Sequence, residues 1–368
     1  MRGRLAVLTA YGKPFEIRDY EVPDPEPGAV VIRVTQSAIC GSDLHMFRGD
    51  AHRIPVPEGG RAMGHEGTGV VHALGKGVTT DFLGQPLREG DRVIHSVIVP
   101  CNRCRMCLRG ESNLCLGKVA TPPAGSYPYF VGTFADFYYA PPNMPVFRVP
   151  DELSDDLLAP INCAMGTATQ GLLSAGVGQG DHVVVQGAGG LGLTAVAMAK
   201  DMGADKVIVF DRLPGRLAMA KEFGADHVID VNEYSTAQQR IDVVKDITGG
   251  HGADVVLELV GLAELLPEGV AMLRVGGTYV DIGLFFAGRT IEFDASTIVM
   301  TGKKIMGSAM YKPIVLSTIL DFLVRNQARW PFEKLVSHRF PLDDINTAFT
   351  ASEWSGQETP VIRAVLVP

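Results

Sequence analysis

One stretch restricts the fold more than any other: Val183-Val184-Val185-Gln186-Gly187-Ala188-Gly189-Gly190-Leu191-Gly192. A short apolar run ends in a G-x-G-x-x-G pattern and opens into an apolar helical segment over 191–202. Strand, glycine loop and helix in that order make a dinucleotide-binding turn. Gly187 makes the turn, Gly189 lets the backbone approach a pyrophosphate, and Gly192 packs helix on strand. Gly190 and Leu191 complete the loop, and the helix N-terminus supplies the anion site. Further apolar runs at 206–210, 227–230, 254–258 and 278–282 alternate with helical segments. That alternation predicts a parallel, doubly wound α/β sheet. Asp211 ends the second of these strands. Its carboxylate suits a ribose 2′-hydroxyl and repels a 2′-phosphate, which favours NAD over NADP. Arg212 and Arg216 pull the other way, because a nearby arginine can accept that phosphate.

Before residue 100 the pattern is different. Short alternating runs at 5–8, 16–20, 29–34, 69–75 and 91–94 are split by Gly and Pro, which predicts an antiparallel, barrel-like domain. Residues 101–128 are irregular, and 134–139 return to strand character. Residues 154–173 and 313–326 look helical, and the last run, 361–366, is a strand expected to rejoin the first domain. A chain of 368 residues is too long for one core. The expected division is a first domain of 1–160 with 304–368 and a second of 161–303. The net charge of −8 offers no footprint for nucleic acid. No apolar run approaches ~20 residues, which excludes a membrane span. The N-terminus enters a strand with no signal-peptide core, so reduced cysteines and a cytoplasmic location are expected.

All six cysteines can be given a ligand role. Cys101-x2-Cys104-x2-Cys107-x7-Cys115 sets four thiolates along one short irregular stretch. Zinc takes four soft ligands tetrahedrally, and such a closed site is structural. An iron–sulfur run would continue with a fourth cysteine after three residues and then proline; here seven residues intervene and Leu116 follows. The other two cysteines, Cys40 and Cys163, lie on either side of the turn Gly64-His65-Glu66. Two sulfurs and one imidazole, with a fourth position open, is a pattern of catalytic zinc. Asp43 is placed to fix the His65 tautomer. Hydride loss from an alcohol requires its oxygen to give up a proton, and zinc lowers the pKa of bound water from about 16 to about 7.

Together these residues resemble the zinc-containing medium-chain dehydrogenase/reductase family, the alcohol dehydrogenases. Gly64-His65-Glu66-x2-Gly69-x5-Gly75-x2-Val78 fits its zinc signature, 101–115 its structural lobe and 183–216 its coenzyme fold. The resemblance implies a GroES-like catalytic domain built from both chain ends and a Rossmann coenzyme domain between. It implies Cys40, His65 and Cys163 as catalytic zinc ligands, and Glu66 as an acid beside the metal that can swing onto it. It also implies Ser42 as the hydroxyl that takes the alcohol proton, with the route continuing through the nicotinamide ribose to His45. Thr167 becomes a nicotinamide neighbour. Two zinc ions per chain, NAD and a small alcohol or carbonyl substrate follow, as does a homodimer or homotetramer paired through a strand at Ile298-Val299-Met300 or 304–307. Cys163, where relatives acting on polyols carry a carboxylate, leans toward simple or secondary alcohols. Polyol or amino-alcohol oxidation, a zinc-free reductase and a non-catalytic zinc- and NAD-binding member are the other readings. His52, His72, His95, His182, His227, His251 and His338 have no motif and are expected in solvent or core packing.

Overall fold

The computed structural model describes residues 1–50, 54–117, 122–283, 288–353 and 361–368. His52 and parts of the loops 50–62 and 119–133 lie outside the described residues.

The chain divides into two compact units: Met1–Cys163 with Lys312–Gln327 and Phe332–Pro368, and Ala164–Tyr311 with Ala328–Pro331. The first unit begins with β1 (Arg2–Leu8), β2 (Glu16–Glu21) and β3 (Val30–Ala38), then α1 (Gly41–Arg48). β4 (Arg61–Ala62), β5 (Glu66–Leu74), β6 (Arg92–His95), the single turn α2 (Arg105–Leu108), β7 (Phe137–Ala140), β8 (Val146–Arg148) and α3 (Asp155–Leu158) follow. The second unit holds α4 (Gly166–Ala175), β9 (His182–Gln186), α5 (Gly190–Asp201), β10 (Lys206–Asp211), α6 (Pro214–Glu222) and β11 (His227–Asp230). It continues with α7 (Ala237–Ile247), β12 (Ala253–Glu258), α8 (Leu265–Met272), β13 (Leu273–Asp281), α9 (Ser296–Thr301) and β14 (Lys304–Gly307). The chain then returns to the first unit with α10 (Val315–Asn326), β15 (His338–Pro341), α11 (Ile345–Ser352) and β16 (Ala364–Val367).

In the first unit a mostly antiparallel sheet runs β15-β16-β3-β5-β6-β8, with β7 also on β3, beside a small sheet β2-β1-β4. The last strand rejoins as expected: β16 pairs antiparallel with β3, Val365 opposite Ala38. Val365 and Ala38 are buried in one cluster. Val30, Ile32 and Val34 of β3 alternate into one buried cluster with Val71, Val93 and Val146, the period-2 pattern of a half-buried strand.

In the second unit all six strands are parallel, in the order β11-β10-β9-β12-β13-β14. β9, β10 and β12 are runs of buried Val, Ile and Leu, as a sheet covered on both faces requires. Two expectations change here. Strand β14 pairs with β13, Lys304 opposite Thr278, so the chain leaves this unit after 311 and not at 304. Ile298-Val299-Met300 form part of helix α9 and not a strand. Asp294 explains the difference: its carboxylate accepts the Ser296 N–H at 2.9 Å, and its carbonyl the Thr297 N–H at 3.3 Å, which starts a helical turn.

A second core lies between α1, α11 and the small sheet. Phe134 is fully buried there, edge-on to Phe15 (85°, centroids 6.5 Å apart) and to Phe349 (86°, 5.8 Å). Phe134→Ala should therefore cost about 3–5 kcal/mol of stability, read from the shift of a chemical denaturation curve; a loss under ~1 kcal/mol would mean that this ring is not a core element.

Candidate metal centre and coenzyme loop

The turn before His65 is possible only with glycine. Gly64 has φ +87°, where a side chain is strained, and a Cβ there would lie 2.7 Å from the Phe134 nitrogen. The turn delivers His65 and then Glu66, the first residue of β5. Cys40 precedes α1 and caps it together with Asp43: the Cys40 N–H donates to Asp43 Oδ2 at 2.9 Å. Cys163 comes from a π-helical turn, Ile161–Met165, a geometry found mostly at functional sites. The turn is pinned by Asn162, which donates to the carbonyls of Gly67 at 3.2 Å and His95 at 2.7 Å.

These three local devices bring Cys40, His65 and Cys163 together, with ligand atoms all within 4.8 Å of one another. The two sulfurs are 3.9 Å apart. Tetrahedral zinc with bonds of about 2.3 Å separates two sulfur ligands by about 3.8 Å, whereas a disulfide would need about 2.05 Å. The spacing fits a shared metal. Asp43 Oδ1 lies 3.3 Å from His65 Nδ1, which leaves Nε2 as the ligand nitrogen. Cys40 is buried while His65 and Cys163 are half-buried, so one side of the set is reachable.

The electrostatics follow from burial beside opposite charges. The hydrogen bond from Cys163 holds the Cys40 thiol well below its usual value, against burial and with help from His65 and Arg363. The same bond, then burial, push Cys163 well up. Burial works against a charged His65, but Asp43 and Cys40 outweigh it and raise the ring well above its ordinary value. A proton is thus disfavoured on Cys40 and favoured on Cys163 and His65.

Glu66 is not one of the three clustered ligand residues, though its charge acts on Cys163. It is buried and its carboxylate is paired with Arg363. Arg363 is the residue that motif reading missed. The one available signal was a charge inside the apolar run Val361-Ile362-Arg363-Ala364-Val365. Burial opposes the Arg363 charge, but Glu66, Cys40 and Cys163 raise its pKa.

Ser42 Oγ lies 3.4 Å from His65 Nε2. His45 sits three residues further on the same helix, a neighbouring position on its surface. Its Nδ1 is 2.7 Å from Asp50 Oδ2 and 2.8 Å from Arg48 Nη2. One of these partners accepts and the other donates, so either tautomer is satisfied. Of the histidines without a motif, His95 is fully enclosed and stacks on Tyr138 at 4.1 Å; burial first, and the charge of His65, lower it to about 4. His72 lies edge-on to Phe137, and His182 is 3.3 Å from Asp205.

Cys101, Cys104, Cys107 and Cys115 form a second set, again within 4.8 Å. Cys104 Sγ is 3.6 Å from that of Cys107 and 3.9 Å from that of Cys115, spacings that fit the edges of a zinc tetrahedron. The N–H groups of Cys107 and Leu116 hold Cys104 at about 6, while burial and Cys104 push Cys107 up to about 12.

In the second unit the glycine loop has the expected shape. Gly187 turns with φ +99°, and a Cβ on Gly192 would lie 1.9 Å from the Gly187 carbonyl oxygen. Gly189 precedes α5, and a Cβ there would meet nothing within 4 Å; that open backbone at a helix N-terminus fits a pyrophosphate. Gly190 and Leu191 form the first helical positions. Asp211 is buried at the end of β10, and its Oδ2 accepts the Ala188 N–H at 2.8 Å. Arg216 Nη1 stands 3.8 Å from the same oxygen. Thr167 is the second residue of α4 and largely buried.

Residues 26–151 match the alcohol dehydrogenase GroES-like domain, and residues 190–325 match the zinc-binding dehydrogenase domain. The chain is 34% identical over 371 residues to 5-exo-hydroxycamphor dehydrogenase of Pseudomonas putida, covering 99% of each chain. It is 31% identical over 353 residues to L-threonine 3-dehydrogenase of Rhizobium etli, covering 94% of each. The crystal structure of an alcohol dehydrogenase from Thermotoga maritima superposes over 100% of both chains with TM-score 0.92 at 29% identity.

Arg363→Ala would take away the guanidinium paired with the buried Glu66 carboxylate. It should cost about 3–5 kcal/mol, the penalty for breaking an enclosed ion pair from one side, measured by urea denaturation; an unchanged midpoint and slope would show that Glu66 finds another partner.

Proposed function

Because the chain belongs to the zinc-containing medium-chain dehydrogenase/reductase family, and is thus an oxidoreductase acting on alcohols, we propose that it transfers hydride reversibly between a secondary or medium-sized alcohol and NAD. The observation that carries this reading is the triad Cys40, His65 and Cys163, with two sulfurs 3.9 Å apart and the Ser42 hydroxyl 3.4 Å from the imidazole.

On this reading Cys40, His65 and Cys163 hold a catalytic zinc ion, and the four cysteines from Cys101 to Cys115 hold a structural one. Bound zinc supplies a Lewis acid that makes a substrate hydroxyl more acidic. The chain's own groups do the rest. Asp43 orients the His65 ring and sets its tautomer. Ser42 relays the proton that the alcohol gives up, accepting it on Oγ as its own proton passes on toward His45. His45 exchanges that proton with solvent, and Asp50 and Arg48 satisfy its Nδ1 in either state. Glu66 carries a further buried negative charge beside the sulfurs, offset by Arg363.

The glycine loop and the N-terminus of α5 bind the pyrophosphate, and Asp211 takes the ribose hydroxyls, which favours NAD. Arg216 is the residue that would serve NADP. The relatives named for 5-exo-hydroxycamphor and for L-threonine support an alcohol of secondary or medium size; the second also keeps amino-alcohol oxidation open. Among the described residues no helix is long and apolar enough to cross a membrane. We read the chain as a homodimer or higher homo-oligomer, since β14 is the outer strand of its sheet and α9 beside it turns Val299 and Met300 outward, 83% and 82% exposed.

Cys163→Ala should abolish NAD-linked alcohol oxidation and leave the circular dichroism spectrum and the melting profile close to those of the parent. Full activity in that variant would remove Cys163 from the ligand set. Asp211→Gly should narrow the gap between NAD and NADP in kcat/KM by about ten-fold or more; an unchanged ratio would place coenzyme selection elsewhere.

A further inference from the structure

The strand order β11-β10-β9-β12-β13-β14 reverses between β9 and β12. In such sheets the ligand crevice lies outside the C-terminal ends of the strands at that reversal. Two loops flank it: the glycine turn after β9 and residues 259–261 after β12. They touch. A Cβ on Gly187 would lie 2.8 Å from Val260 Cγ2, and Leu259 N–H donates to the Gln186 carbonyl at 3.0 Å.

One carboxyl group holds the second loop. Glu258 ends β12 and is fully buried. Its Oε1 accepts from the N–H groups of Val260 and Gly261, each at 2.7 Å. Its Oε2 has no hydrogen-bond partner among the described residues, and neither have Gln186 Oε1 and Tyr279 Oη. All three lie on one face of the sheet. Glu258 is opposite Gln186, and Val256, two residues before Glu258, is opposite Tyr279.

We propose that Glu258 is a positioning residue for the coenzyme: ionised, it clamps residues 259–261 against the glycine turn, and when Oε2 takes a proton the clamp slackens and the coenzyme binds less tightly. This rests on the coenzyme reading given above. An ionised acceptor makes hydrogen bonds roughly twice as strong as a neutral one, and Oε2 is the oxygen with room for the proton. Asp281 and Tyr279 face Glu258 from β13; Glu268 on α8 acts on the same tyrosine and is paired with Arg240 at 2.6 Å. Burial pushes the Glu258 carboxyl up to about 7; the Gly261 and Val260 N–H groups pull it back, and Asp281 pushes it further up. The clamp therefore titrates across neutral pH. If the ionised form favours binding, affinity rises with pH through that region. Repulsion between the carboxylate and the coenzyme's pyrophosphate would act in the opposite sense, so the sign separates the two.

The test is calorimetric binding of NADH, and separately NADPH, to the whole chain from about pH 6 to about pH 8.5, without turnover. In the parent protein the affinity for the preferred nucleotide should rise about five-fold over that range. Glu258→Gln should keep the weaker, acid-side affinity throughout, with a flat profile. A purely structural role would lower stability without flattening the profile, so a variant that keeps the parent's slope overturns the proposal. If the variant does not fold, the parent protein still decides. Proton release on NADH binding near neutral pH, measured in buffers of different ionisation enthalpy, supports the clamp; proton uptake, or an affinity that is flat or falls with pH, overturns it. Binding of neither nucleotide at any pH would defeat the coenzyme reading itself, a result distinct from NADH binding with the wrong pH dependence.

Discussion

The first unit is built around a problem of buried charge. Asp43 and Glu66 have almost no exposure, and Cys40 and Cys163 bring two sulfurs within 3.9 Å of each other in the same unit. Arg363 supplies one fixed positive charge. The surroundings also favour a proton on His65 and one on Cys163. A divalent cation that displaces both protons leaves the total unchanged. That equivalence is a physical reason for the site to take a zinc ion, and it agrees with the general rule that such ligands release protons on binding metal. It also gives Arg363 a role: without it the same set would carry one more negative charge with either occupant.

The surrounding structure serves this balance. Gly64 gives the chain a left-handed turn so that His65 enters beside Cys40. Asp43 caps the helix that follows Cys40 with one oxygen and faces His65 with the other. One carboxylate thereby ties Cys40 and His65 to each other. The third arrives on a π-helical turn held by Asn162. In the second unit a comparable economy holds the glycine loop. Asp211 grips the glycine turn from one side, and the loop held by Glu258 packs against it from the other.

Much of this was legible in the sequence because it rests on local, periodic signals. The alternation of Val30 to Val34, the apolar runs of β9, β10 and β12, the glycine spacing from Gly187 to Gly192 and the cysteine spacing from Cys101 to Cys115 each state their geometry within a few residues. Pairings between distant residues carry no such signal. Arg363 meets Glu66 across 297 positions, and only the return of β16 to β3 places them together. The segment 298–307 misled because its side chains suit strand or helix equally. The turn at Asp294 leads the first part into α9, and pairing with β13 at the sheet's outer edge makes the second part β14. Glu258 read as the ordinary end of a buried strand; its significance depends on which loop its carboxyl group reaches.

The proposed function needs zinc in two sets, an open one at Cys40, His65 and Cys163 and a closed one at Cys101 to Cys115. Anomalous diffraction on either side of the zinc absorption edge, from crystals of the protein as purified, tests it most directly. The account expects two zinc peaks per chain, one among Cys101, Cys104, Cys107 and Cys115 and one bounded by Cys40, His65 and Cys163. A chain with full zinc in the first set and no anomalous density at the second would contradict it.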